Sequence, residues 1–304
     1  VFYKHKISKV YRDVQNTYKL STYNLIHAHF MFSDGGVAYK IWKSHQIPYI
    51  VAVRNTDINF FLKYAIHLRS FGRDILLNAK RIVLLSPAYV DLLLESFNPE
   101  IRVQLSPKIE VIPNGIDDYW FKEKVEAKLK PSEVLTLLYV GDFSKNKNIP
   151  FLIKAKQKYF PRSVLNIVGA NGADDQEIKS LAEADGQVKL RGRIAEKKLL
   201  KDYYREADIL CILSQYETFG LSYIEAMSQG TPVIFTEGQG IDGYFQEQTG
   251  YAVPFGKDVE FEKAVKSILE NYARYSKNAL ASMERFSWNK ISNIYTKLYE
   301  EFGS

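Results

Sequence analysis

The sequence predicts an α/β protein built from two doubly wound, Rossmann-like parallel-sheet domains, and three observations carry that expectation. Short apolar runs bounded by turn residues alternate with helix-period segments through both halves of the chain, the pattern of parallel strands joined by right-handed crossovers. At 304 residues the chain exceeds the length at which a single core keeps growing. Near its middle, the run IPNGIDDYWF is strong turn punctuation, and the charged stretch KEKVEAKLKPSE after it has linker composition. The expected division is a first domain over 1–118, a linker over 119–133, a second domain over 134–285, and a closing helix over 286–304.

In chain order, the opening VFYKHKISKVYRDVQNTYKL is a basic amphipathic segment that reads as a helix already under way, with Phe2, Val10 and Val14 among its lysines. Strands are expected at 25–29, 48–54, 81–85 and 108–112, with helices at 37–44, from the second strand through 78, and at 87–95. Four strands are few for a doubly wound nucleotide-type domain, which usually has six. The second domain begins with LTLLYVG and continues through strands at 165–169, 188–190, 209–213, 233–235 and 251–253. The closing FSWNKISNIYTKLYEEF has Trp288, Ile291, Ile294 and Leu298 at helical spacing.

The stretch SQYETFGLSYIEAMSQGTPV, residues 214–233, organises the rest. A buried strand enters it. Leu221, Ile224 and Met227 then recur at helical spacing, Gly230 supplies a C′ stop, and a further strand follows. Such a loop sits at the carboxyl end of a strand, where open α/β sheets place ligands. The amides of Phe219, Gly220, Leu221 and Ser222 lie at the helix start without intrahelical partners, and Gly220 admits a phosphate with no Cβ in its way. Glu217 precedes the helix and Glu225 lies in its second turn, tilting back toward the start. Carboxylates repel phosphate, so this pair suits sugar hydroxyls. The corner fits a ligand that is half phosphate and half polyol. On spacing alone, a solvated Glu225 and a Glu217 that merely favours the helix dipole serve equally well.

Glu217 and Glu225 within ETFGLSYIEAMSQGTPVI resemble the signature of the family-four retaining glycosyltransferases, which have the GT-B fold. The resemblance implies two Rossmann-like domains facing a cleft, with the amides around Gly220 and Leu221 on the donor diphosphate. It also implies Glu217 on the hydroxyls of the transferred sugar and Glu225 on the nucleotide ribose. Relatives begin with further βα units and a glycine-rich loop, so the first domain is expected to be N-terminally incomplete. An NGID-like segment marks the domain crossing in relatives, and in the family a helix like the last one packs back on the first domain.

Other positions follow. Gly141 through Lys147 lie between a strand and a helix, where a glycine turn and a lysine place an ammonium beside a diphosphate and stabilise charge on a departing nucleotide. Gly141 and Lys147 match the family, but Asp142 stands where an arginine is common, leaving Lys145 as a substitute clamp. Arg54 stands where many relatives carry histidine, a candidate for the donor sugar or an acidic acceptor, with Asp57 a cap for the next helix. His27 and His29 flank Ala28 and are expected on opposite faces of their strand, one lining the cleft and one packing, His29 being nearer substrate. Gly169 resembles the donor-side glycine turn, and Arg193 and Ile194 the segment whose backbone reads the base. Gly238 and Gly240 offer further amides toward the sugar. Each of these last segments also reads as an ordinary turn.

Composition narrows the classes. No apolar run approaches the roughly 20 residues of a membrane helix, and no signal peptide is visible. One cysteine, Cys211, permits no internal disulfide and no cysteine zinc site, which points to a reducing cytoplasm. Residues 1–120 hold 15 Lys and Arg against 10 Asp and Glu, which suits an anionic membrane surface or a phosphorylated acceptor and equally reads as a solvated, lysine-rich surface. No RNA-binding or zinc-finger signature supports nucleic acid as partner. The expected activity is a retaining, metal-independent transferase moving a sugar from a UDP- or GDP-type donor to a glycan or lipid-linked acceptor, in bacterial surface polysaccharide synthesis. Glu217, Lys147, Arg54 and His29 are the candidate catalytic residues. Gly141, Lys145, Lys147, Gly169, Arg193, Ile194, Phe219, Gly220, Leu221, Ser222 and Glu225 are the candidate donor contacts, and no metal or other cofactor is expected. A non-catalytic nucleotide-sugar-binding subunit and a sugar-nucleotide epimerase of the same fold are the rival readings.

Overall fold

The computed structural model describes residues 2–123, 125–246 and 248–303, with the side chain of Phe2 outside that set. The chain divides into two compact units, Val1–Pro113 with Asn289–Ser304, and Asn114–Trp288.

In the first unit, β1 (Ile26–Ala28), β2 (Tyr49–Ala52), β3 (Arg81–Leu84) and β4 (Ile109–Val111) form one parallel sheet in the order β1-β2-β3-β4. The central strands are packed on both faces, which is why β2 (YIVA) reads as a continuous apolar run while the edge strands β1 and β4 carry His27 and Glu110. Strand alternation divides them cleanly. Tyr49 and Val51 join Met31, Phe32, Ile75 and Leu84 on one face, while Ile50 and Ala52 pack with Val83, Ile112, Ile291 and Leu298 on the other. The helix Pro99–Leu105 was not anticipated, although Asn98 caps it through Ile101 N–H and Pro99 opens it.

Two helical stripes differ from expectation. In Phe2–Thr17 the buried side is Tyr3, Ile7, Tyr11 and Val14, leaving Val10 exposed. In Trp288–Gly303 it is Ile291, Tyr295, Leu298 and Phe302, leaving Trp288 and Ile294 exposed. Both stripes keep steps of three and four residues, with aromatic residues at positions the expected stripes did not include.

In the second unit, β5 (Thr136–Val140), β6 (Val164–Val168), β7 (Val188–Gly192), β8 (Ile209–Ile212), β9 (Val233–Thr236) and β10 (Gly250–Val253) form a parallel sheet ordered β10-β9-β8-β5-β6-β7. The chain winds outward from β5 in one direction and from β8 in the other, so the order reverses between these two neighbours. Ligands bind at such a switch point, beyond the carboxyl ends of the strands.

The crossing falls at Pro113 and Asn114, a few residues before 118, and the return falls after Trp288, a few residues beyond 285. Ile116 bridges Ser287 and donates its amide to Phe286. Residues expected as linker are tied into the second unit instead. The buried ammonium of Lys128 donates to the carbonyl of Ala207 and, at 2.9 Å, to Thr231 Oγ1, while its amide donates to Ser276.

Candidate functional site

The loops leaving β5 and β8 carry the two side chains that meet at the switch point. Lys147 Nζ donates to Glu217 Oε2 at 2.6 Å, and less than a fifth of either side chain is exposed. Two polar side chains that sequence reasoning missed hold this arrangement. Asn146 grips the backbone of Tyr216 from both ends, donating through Nδ2 to its carbonyl at 2.9 Å and accepting its amide at 3.0 Å. Gln239 Oε1 accepts the Glu217 amide at 3.1 Å, and Gly240 N–H donates to the Glu217 carbonyl at 2.7 Å. Glu217 is thus fixed from one side by the lysine loop and from the other by the loop after β9.

Behind it, Gly220 has φ +82°, and a Cβ there would lie 2.4 Å from the Tyr223 ring. Only glycine makes this turn. Tyr223 N–H, donating to the Gly220 carbonyl, is the first amide taken up by the turn. The amides of Phe219, Gly220, Leu221 and Ser222 precede it, at the positive end of the helix Leu221–Met227, where geometry leaves them no intrahelical acceptor. Tyr223, Ile224 and Met227 are buried, and Tyr223 donates to the Ile212 carbonyl, anchoring the helix on β8. Leu221 does not join that stripe. It stands 44% exposed, because a side chain at the first helical position leans over the turn before it. The helix ends at Met227, and Gly230 takes φ +73° in the turn beyond.

Glu225 lies one helical turn in. Burial raises its carboxyl above the ordinary range, against the hydrogen bond from Tyr204 and the charge of Lys197. Tyr204 donates to Oε2 at 2.9 Å.

A pocket of about 470 Å³ opens beside the β5 loop, lined by Gly141, Asp142, Gly169, Asn171, Arg193 and Ile194 among others. The structure therefore brings four of the candidate donor residues, Gly141, Gly169, Arg193 and Ile194, around one space. Gly169 has φ +153°, and a Cβ there would sit 1.8 Å from the Gly141 carbonyl oxygen, so the two glycine loops touch backbone to backbone. Asp142 accepts the Ser144 amide at 2.9 Å, a local turn that needs a carboxylate or amide at that position. Burial works to raise its carboxyl, but Ser144 and the Lys147 charge outweigh that and hold it below the usual range. A fixed negative charge thus stands where the resemblance has an arginine. Lys145 is exposed in the short turn Lys145–Lys147 and makes no ion pair among the described residues.

In the first unit, His27 and His29 share a face, with ring centroids 4.4 Å apart, contrary to the expectation of opposite faces. Residues two apart on a strand return to the same side, and Ala28 between them is the one that points away. His27 Nδ1 pairs with the Tyr299 hydroxyl at 2.7 Å. Burial, together with His29 and Arg54, pushes the His27 imidazole down to about 4. Arg54 Nε donates to the His29 carbonyl at 3.0 Å, so Arg54 and His29 are neighbours. Asp57 is 2% exposed, and burial raises its carboxyl despite three hydrogen bonds. Those come from the amides of Arg54, Met31 and Phe32. It secures the loop after β1 in addition to its own turn.

Among the described residues, no group of three His, Cys, Asp or Glu side chains is placed to hold a metal ion, and no helix is long and apolar enough to cross a membrane. Cys211 is buried in β8 and its thiol is pushed up by burial.

A family model described as "Glycosyl transferases group 1" matches residues 121–282. D-inositol 3-phosphate glycosyltransferase of Mycobacteroides abscessus is 25% identical over 296 residues, covering 91% of this chain and 66% of that protein. Across the first three curated relatives the chain spans 66%, 70% and 49% of their length. Sucrose-phosphate synthase from Thermosynechococcus elongatus superposes with a TM-score of 0.76 at 24% identity, over 97% of this chain and 77% of that one. HepE of Anabaena in complex with UDP gives 0.73 at 17% identity, over 97% and 82%.

Proposed function

The chain belongs to the glycosyl transferases group 1 family and has its GT-B architecture of two parallel-sheet Rossmann-like units, and from that premise we propose a retaining sugar transfer from a nucleoside-diphosphate donor. The observation that carries this reading is the Lys147–Glu217 pair at the switch point, with the amides of Phe219 to Ser222 next in sequence. A lysine and open amides suit a diphosphate, and two acidic acceptors suit hydroxyls.

Donor binding, on this reading, exchanges the pair. Lys147 turns to the phosphates and Glu217 to the sugar, so neither charge is left uncompensated. As the bond to the diphosphate breaks, negative charge grows on its oxygens, and donors already in position stabilise that charge more than they stabilise the bound ground state. The acceptor hydroxyl attacks the face the nucleotide leaves and passes its proton to a departing phosphate oxygen. Gly141, Gly169, Arg193 and Ile194 line the space for the base side of the donor, and Glu225 takes the ribose. Arg54 and His29 serve the acceptor or the transferred sugar from the first unit. A glycan or lipid-linked acceptor, bacterial surface polysaccharide assembly, and peripheral contact of a cytoplasmic protein with anionic lipid fit the basic first 120 residues. HepE, found with UDP and with UDP-glucose, supports a uridine donor.

Thermal unfolding with UDP and GDP tests the proposal. One of them is expected to raise the Tm, and Glu225→Ala to reduce that rise. A flat response to every nucleoside diphosphate would overturn it.

A further inference from the structure

Tyr204 has no place in the mechanism so far, yet its hydroxyl meets one of the candidate donor residues. It projects from the helix Lys197–Glu206, is fully buried, and stacks edge-on against Trp120 at 5.6 Å. Its backbone carbonyl accepts from Thr231, which fixes the helix end beneath it. A tyrosine buried this deeply needs a partner for its hydroxyl, and a tyrosine chosen only to fill space would serve as well as phenylalanine. The partner here is Glu225 Oε2 at 2.9 Å. Among the described residues no hydrogen bond reaches Glu225 Oε1.

We propose that Tyr204 is a positioning residue for donor recognition: its hydroxyl fixes Glu225 through Oε2 and leaves Oε1 to accept from the ribose diol of the nucleotide. This rests on the donor-site reading above. The geometry is that of a carboxylate divided between two tasks, one oxygen held by the fold and one offered to the ligand. Without the tyrosine, the side chain keeps its rotational freedom and its burial without compensation.

The charged and titratable groups facing Glu225 are Tyr204 and Lys197 from one helix and Asp117 from the segment after the crossing. Burial and Asp117 raise its carboxyl, while Tyr204 and Lys197 lower it, so loss of the tyrosine hydroxyl moves the carboxyl further up. Binding that needs the carboxylate then fails at a higher pH.

The test measures binding of UDP and GDP, and of their 2′-deoxy counterparts, between pH 5 and 8 for the whole chain. Wild type should prefer the ribonucleotide. Tyr204→Phe should weaken ribonucleotide binding about tenfold, leave the deoxy form almost unchanged, and shift the acid-side loss of affinity to higher pH. Glu225→Asp, which keeps the charge but draws it away from the hydroxyl, should reproduce this pattern and serves if Tyr204→Phe does not fold. Glu225→Gln should remove the part of the acid-side pH dependence that Tyr204→Phe shifts, leaving the part that comes from the nucleotide's own phosphate. Wild type that binds and discriminates, with an unchanged ratio and pH profile in Tyr204→Phe, overturns the role of Tyr204 alone. Wild type that binds no nucleotide overturns the donor-site reading, and this inference with it.

Discussion

The two units begin from the same architecture and treat the same chemical problem in opposite ways. Both are parallel sheets whose loops, at the carboxyl ends of the strands, present backbone N–H groups needing acceptors. In the first unit a buried carboxylate takes them: Asp57 accepts from Met31, Phe32 and Arg54 at once. In the second unit the loops are shaped by glycine instead. Every positive-φ glycine among the described residues lies there, Gly169, Gly220 and Gly240 included. In the first unit Gly35, Gly36 and Gly72 serve close packing, Gly72 lying against Met31 and Phe32. In the first unit one buried carboxylate gathers three amides. In the second, Asp142 and Asp242 each take one, while the amides of Phe219 to Ser222 stand at the helix start without an intrahelical acceptor, an arrangement that suits an anion. On the function proposed above, the difference separates a loop built for stability from a loop built for a ligand.

The contrast is broken most directly at Gly169. Alanine there would drive a Cβ into the Gly141 carbonyl at φ +153°, and a loss of about 3 kcal/mol or more is expected, together with nucleotide binding. Urea denaturation and calorimetric titration check this. A stable, binding-competent variant would show that the open loops do not depend on glycine.

A smaller effect tests what the open loops are for. If, as proposed, the lysine acts on charge that develops during departure, Lys147→Ala should lower kcat by about 100-fold while donor affinity falls far less. Single-turnover kinetics separates the two. Equal losses would make the lysine an anchor only.

The smallest effect belongs to the first unit. A histidine in the unfolded chain titrates near 6.5 and His27 near 4, so folding holds this group neutral. Its contribution is present above about 6.5 and is lost as pH falls through about 4. Denaturation midpoints measured across that window should decline in wild type, and His27→Gln should flatten part of the decline. An identical pH profile in the variant would remove His27 as the source.

The fold was legible because both faces of each sheet are covered, so strands such as 49–52 and 209–212 appear as uninterrupted apolar runs that no amphipathic helix would produce. The loop around Gly220 was legible because its residue types are restricted by local backbone geometry. What the sequence hid is set by contacts distant along the chain. Asn146 meets Tyr216 across 70 positions, and Tyr204 meets Glu225 across 21. Neither has a local pattern, since a single polar residue beside a strand or helix resembles any solvated one. Asp57 looked like a cap for its own helix, yet two of its three donors lie about 25 residues earlier. The His27–His29 pairing was there to be read, being fixed by strand parity alone. The helix Pro99–Leu105 likewise announced itself in Asn98-Pro99.

The attachment of the segment following the crossing has a graded character. At Glu123 it is tied to Lys201 and Arg205 by pairs whose acidic partner is 61% exposed, and dissolved ions compete with such contacts. Five residues on, the Lys128 ammonium is buried against a carbonyl and a hydroxyl, neutral oxygens near a helix end, where dissolved ions have little access. Raising the ionic strength should therefore peel this strap from its Glu123 end and stop at Lys128. The second unit keeps hold of its own leading edge in brine as in dilute buffer.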